Sequence, residues 1–271
     1  MRLAMMPLVL LAATVAADVK LYVFDCGSLR LEDVSPFGLS NDETPVRELF
    51  VPCYLIEHQG DEVRRLLFDA GLPAGLAGRG DVELEPGLIV HYERALEDQL
   101  AELDITPSDI DYLAFSHLHF DHVGSANRFT DSMLLIQAPE YQAGFVEKSE
   151  IYQPDLYLGL DDAPRRLLEG DHDVFGDGKV RLLSTPGHTP GHQSLLVRLD
   201  DPGPVVLSGD LYHFRESRAL RRMPVFNTDA EETLRSMDKI DALLEREGAV
   251  LWIEHDRALA QTLRKAPEYY R

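Results

Sequence analysis

The chain has 271 residues, 45% of them apolar and 27% charged, enough for a substantial buried core and inconsistent with a disordered or low-complexity polymer. Lys plus Arg number 26 and Asp plus Glu 47, giving a formal net charge of −21. Nucleic acids and anionic lipids are gripped by clustered cations, so this balance argues against both as partners.

The first segment reads as an address. Arg2 precedes an apolar run from Leu3 to Ala17, shorter than the roughly 20 residues of a membrane span. Val15-Ala16-Ala17 ahead of Asp18 offers small residues for cleavage, so residues 1–17 are expected to be a signal peptide. A buried N-terminal segment is the competing reading. Export to the periplasm or medium follows, with no stable membrane association once the leader is removed. Residues 18–271 carry no Pro/Ser-rich spacer and are expected to form one domain.

Lys20 to Cys26, Val51 to His58 and Arg64 to Asp69 then read as strands, rich in β-branched and apolar residues. Cys26 and Cys53 lie within two of them. Neighbouring strands seldom offer disulfide geometry, so two buried thiols are expected rather than a bridge. Glu93 to Leu103 carries Leu96, Leu100 and Leu103 on one helical stripe. Asp111 to Ser116, Met133 to Gln137, Val180 to Ser184, Ser194 to Arg198 and Val205 to Ser208 are further strands. The clearest helix runs from Asp229 to Glu247, with a capping box from Thr228 to Glu231 and a stop at Gly248. Ala249 to Glu254 is the last strand. Two sheets with flanking helices fit this order.

The chemistry is concentrated at strand ends. Residues 116–124 read Ser-His-Leu-His-Phe-Asp-His-Val-Gly. His117 and His119 are two apart on one face, and Asp121 and His122 follow in a turn that can fold back toward them. Imidazole and carboxylate are the ligands that zinc-like ions prefer. His188, Asp210 and His255 each stand just past a later apolar strand, where α/β sites are built.

This set, His-x-His-x-Asp-His with a later Gly-His, an Asp and a final His, resembles the metallo-β-lactamase superfamily. The resemblance implies an αββα four-layer sandwich of the metallo-β-lactamase type with two divalent metal ions. Zinc is expected before iron, manganese or cobalt. His117, His119 and His188 would bind one ion, Asp121, His122 and His255 the other, and Asp210 would bridge them.

Leu67-Phe68-Asp69-Ala70-Gly71, Gly187-His188-Thr189-Pro190-Gly191-His192-Gln193-Ser194 and Trp252-Ile253-Glu254-His255-Asp256 are similar to N-acyl-homoserine-lactone lactonases. The implied activity is opening of the lactone ring, a quorum-quenching reaction, by a hydroxide shared between the metals. Asp121 would hold the nucleophile and pass a proton to the leaving alkoxide. Those lactonases often carry a Tyr three residues after the bridging Asp. Here that position is His213, with Tyr212 beside it, and either could donate to the substrate carbonyl.

Within the superfamily, true β-lactamases typically have Cys where Asp210 stands. Acylglutathione thioester hydrolases share the ligands but need cations for the glutathione carboxylates, a role open to Arg215, Arg218, Arg221 and Arg222. Another lactone or ester hydrolase, or a non-catalytic exported metal-binding protein, is the remaining alternative. Tyr141, Phe145, Tyr152 and Tyr157, with Met223 and Phe226, are candidates for an apolar wall around an acyl chain. His58, His91, His172 and His192 receive no metal role. A homodimer is compatible with the sequence.

Overall fold

Alternation along the first strand sets the layering. Tyr22, Phe24 and Cys26 turn to one core while Leu21 and Val23 turn to another. The computed structural model describes residues 18–271, so the expected signal peptide lies outside the described residues.

The strands are β1 (Asp18–Leu31), β2 (Glu48–Gln59), β3 (Val63–Phe68), β4 (Asp81–Glu85), β5 (Leu88–His91), β6 (Tyr112–Ala114), β7 (Met133–Gln137) and β8 (Arg165–Leu168). They form one sheet in the order β4-β5-β1-β2-β3-β6-β7-β8. The second sheet takes β9 (His172–Asp173), β10 (Val180–Ser184), β11 (Gln193–Arg198), β12 (Pro204–Leu207) and β13 (Val250–Trp252), in the order β13-β12-β11-β10-β9. A short β14 (Tyr269–Tyr270) returns to pair with β1.

Helices α1 (Leu96–Ala101), α2 (Phe120–Val123) and α3 (Ala138–Tyr141) precede the second sheet; α4 (Arg215–Leu220), α5 (Ala230–Glu247) and α6 (Arg257–Ala260) lie late in the chain. Leu182, Leu195, Val205 and Leu207 share a core with Leu21, Ile56, Leu66 and Phe68, so the two sheets face each other. Their neighbours Leu183, Leu196 and Val206 pack outward on Met237, Ile240 and Leu243 of α5. The outer face of the first sheet is covered by α1 and the segment around Phe129, Tyr152 and Tyr157. Helix, sheet, sheet, helix is the expected four-layer sandwich. Among the described residues, no helix is long and apolar enough to cross a membrane.

The structure corrects several expectations. The helix read over 93–103 spans only Leu96–Ala101: Ala95 is extended and Asp104 turns the chain at φ 57°. Leu96 and Leu100 still face the core. The long helix is capped by Asp229, whose side chain accepts from the Glu232 amide at 2.9 Å. Thr228 is drawn off instead, its hydroxyl donating to the His188 carbonyl at 3.1 Å. Hairpin β4–β5 was not legible because its first strand, Asp-Val-Glu-Leu-Glu, is charged and largely exposed.

Cys26 and Cys53 are joined in a disulfide, not left as thiols. The register sets Phe24 opposite Cys53, and an irregularity between Asp25 and Ser28 brings Cys26 within 5.8 Å of Cys53, Cα to Cα. Gly71, at φ 63°, lies against the bridge; a Cβ there would sit 2.3 Å from Cys26 Cβ. The turn Asp69–Leu72 thus rests on the disulfide and accepts from the Gly124 amide at 2.7 Å, just after the histidine cluster.

Candidate metal centre

The seven side chains expected as ligands converge between the ends of both sheets. Strand β6 delivers His117, and His119 stands at the N-terminal boundary of α2, which carries Asp121 and His122. The turn after β10 supplies His188, the turn after β12 supplies Asp210, and His255 follows β13. Gly209 allows this approach. It takes φ 53°, and a Cβ there would sit 2.7 Å from both His192 Nε2 and Ser116 Cβ.

His117 Nε2 lies 2.7 Å from His119 Nδ1, and His188 Nε2 lies 3.2 Å from the same atom. Asp210 Oδ2 is 3.6 Å from His117 Nε2 and 3.4 Å from His188 Nε2. On its other side, Oδ1 is 3.4 Å from His122 Nε2 and 2.8 Å from His255 Nε2. Asp121 stands at the edge of that second group, 3.8 Å from His122 and 3.9 Å from His255. Each oxygen of Asp210 therefore addresses one group.

These atoms fit divalent cations. His122 Nε2 and Asp210 Oδ1 are buried and make no hydrogen bond of acceptable geometry. Ligands about 2.0–2.1 Å from one tetrahedral ion stand roughly 3.3 Å apart, close to the separations seen. Burial would raise the Asp210 carboxyl, but His213, His255, His122 and His117 together hold it well below the usual range. Burial pushes His117 and His119 well down, helped by neighbouring imidazoles. Against their own burial, the surrounding carboxylates raise His122 and push His255 up to about 9.

Outer partners fix the rings. Asp69 accepts from His122 Nδ1 at 3.0 Å and from the Ser116 amide at 2.6 Å. His255 Nδ1 donates to the Phe50 carbonyl at 2.7 Å. Both leave Nε2 turned inward, as metal-bound imidazoles require. Ligand spacing carries no signal for these partners, which come from distant strands.

Packing sends His213 and Tyr212 to different places. His213 is buried at the centre, its Nε2 2.9 Å from Asp210 Oδ2. Tyr212 is not at the site: it packs with Leu183, Leu211 and Met237 beneath α5, and Arg218 lies over its ring. Adjacent residues on an extended backbone point oppositely.

Phe226 is 39% exposed and lies about 6 Å from the rings of His119, His188 and His213. Phe37, which the sequence did not single out, packs on His213 at 5.0 Å and on Phe226 at 5.6 Å. Tyr152, in the same core as Phe145 and Tyr157, approaches His119 at 6.0 Å. The four arginines are all paired, with Asp256, Asp241, Asp238 and Glu43. His192 is buried beside the cluster and pushed down to about 3 by burial, with His188 nearby; its Nδ1 meets Thr185 rather than the ligand groups.

The sequence profile of the metallo-beta-lactamase superfamily matches residues 46–247. An N-acyl homoserine lactonase, AttM, of Rhizobium radiobacter is 30% identical over 93% of this chain and 99% of its own. N-acyl homoserine lactonase AiiA of Bacillus thuringiensis subsp. kurstaki is 31% identical over 92% and 98%. A solved N-acyl homoserine lactone hydrolase, with N-hexanoyl-L-homoserine bound at its catalytic metal centre, superposes with a TM-score of 0.78. It is 28% identical and covers 94% of this chain and 100% of its own. The chain belongs to the metallo-beta-lactamase superfamily, as a metal-dependent hydrolase.

Proposed function

We propose that this member of the superfamily opens the lactone ring of N-acyl homoserine lactones at a two-metal site, with zinc as the first candidate ion. The observation that carries the reading is Asp210, which turns one carboxylate oxygen to each ligand group. The ions, when bound, supply Lewis acidity and an activated water near neutral pH. The chain supplies the rest. His213, beside Asp210, would donate from Nε2 to the substrate carbonyl, and Asp121 would carry a proton to the departing ring oxygen. Phe37 and Phe226 offer an apolar border for an acyl chain. The paired arginines weigh against a thioester substrate whose carboxylates need free cations.

Ring opening releases a proton, so a weakly buffered indicator assay follows it. Short- and long-chain lactones are expected to exceed a chromogenic β-lactam and a glutathione thioester by at least about tenfold in kcat/KM, roughly 1.4 kcal/mol. A thioester that outruns both lactones by that margin overturns the assignment. Export is part of the proposal, supported by the leader sequence and by a disulfide suited to an oxidising compartment. The mature chain from its host is expected to begin near Asp18 in a non-cytoplasmic fraction. An intact Met1 there refutes export.

A further inference from the structure

Glu140, at 1% exposed, is a buried carboxyl with no Lys or Arg paired to it among the described residues. Its oxygens are met by three donors from separate segments. Oε1 accepts from the Leu118 amide at 3.0 Å and from the Tyr152 hydroxyl at 2.9 Å. Oε2 accepts from the Gly191 amide at 2.8 Å. Leu118 is the residue between His117 and His119, and Gly191 closes the turn that begins at His188. That turn is pressed onto α3: a Cβ on Gly191 would lie 2.4 Å from the Glu140 nitrogen and 2.5 Å from its Cβ.

Taking a carboxyl out of water is costly, and hydrogen bonds to its charged form are the main compensation. An apolar side chain would fill this volume without that cost, but could not hold two loop amides at once. The second ligand group has anchors of its own, Asp69 on His122 and the Phe50 carbonyl on His255. In the first group the strand ends are joined by the Gln193 amide on the Ser116 carbonyl and by Gln193 Nε2 on the Phe115 carbonyl, both at 2.8 Å. Glu140 is the side chain that reaches inside both ligand loops, to the amide between His117 and His119 and to the amide of Gly191.

We propose that Glu140 is a positioning residue. It ties the His117–His119 segment to the His188 turn and so sets the spacing of the three imidazoles that converge near Asp210 Oδ2. The proposal rests on the two-metal reading above and goes beyond it, because it predicts that the two ions are held by separately supported groups.

The test uses the full chain loaded with zinc and challenged with graded chelator, counting metal per chain. Glu140→Gln keeps the shape and one acceptor but turns an amide NH2 where Oε2 meets Gly191. One ion is expected to leave at about 10–100-fold lower chelator concentration than in the wild type, the size typical of lost outer partners. The other is expected to leave at the wild-type concentration. Gly191→Ala should reproduce this split with the carboxylate intact. In a His255→Ala background Glu140→Gln should have its full effect, and in a His188→Ala background it should add nothing.

Release of both ions at the wild-type concentration, or of both together in step with unfolding, overturns the positioning role. If Glu140→Gln does not fold, Tyr152→Phe removes a single bond and is expected to shift the same ion by a smaller factor; no shift then counts against the proposal. A wild type that holds a single ion sinks the two-metal reading beneath it. Two wild-type ions with unaltered release from the variant sink the positioning role alone.

Discussion

Of the buried charged groups among the described residues, those around Glu57 and Asp210 are built on opposite terms. Around Glu57 every demand is met within the chain: the Tyr22 hydroxyl donates at 3.2 Å, Arg65 Nε donates at 3.0 Å, and Lys20 Nζ stands 3.6 Å away. Around Asp210 the demands are unmet, with Oδ1 and His122 Nε2 buried and without a hydrogen-bond partner. Buried polar atoms are costly when unpaired, so a stable fold keeps them where something else completes them. Charge clustering alone does not mark a site. Convergent, incomplete pairing does.

Asp210→Ala tests the contrast most severely. It removes the carboxylate shared by both ligand groups, so hydrolysis and metal content are both expected to fall by more than about 100-fold in rate and affinity, beyond the loss of an outer partner. Metal analysis beside the lactone assay reads it. A variant that keeps two ions and near-normal turnover breaks the comparison.

Glu57→Gln should do the reverse. Replacing the carboxylate by an amide weakens a buried, satisfied network and is expected to cost about 1–3 kcal/mol of stability. Metal content and kcat should stay at wild-type values. Denaturant unfolding together with metal analysis separates the two effects.

The smallest effect is expected at Asp177, which meets His58 Nε2 at 2.8 Å. Burial would raise this carboxyl, but the His58 hydrogen bond and the Lys179 amide outweigh it and hold it below its usual 3.8. A depressed carboxyl contributes stability above its unfolded pKa and loses it as the pH falls through the folded value. Asp177→Asn should therefore cost under about 1 kcal/mol at neutral pH, because the group is partly exposed. The gap from wild type should close on acidification below 3.8, which unfolding curves at several pH values would follow.

Much of the candidate site was legible because residues of metal-ligating type stand out locally. His117, His119, Asp121 and His122 fall within six residues at the end of one strand, and His188, Asp210 and His255 each follow an apolar strand. The strands were legible for a similar reason: alternation and β-branched runs express burial within a few residues, as Met133–Gln137 and Val180–Ser184 show with matching bounds. Exposed β4 and β8 lack that pattern and went unread.

What the sequence determined by itself was the kind of chemistry, since residue type sets which ions and protons a side chain can hold. Only the tertiary structure decided how distant segments meet. The β1 irregularity paired Cys26 with Cys53, extended backbone turned His213 inward and Tyr212 away, and packing brought Phe37 to Phe226 across 189 positions. Glu140 carries no ligand spacing at all. Its role depends on two loop amides, separated by 73 residues, coming within hydrogen-bond reach of one carboxylate, and strand register sets that approach.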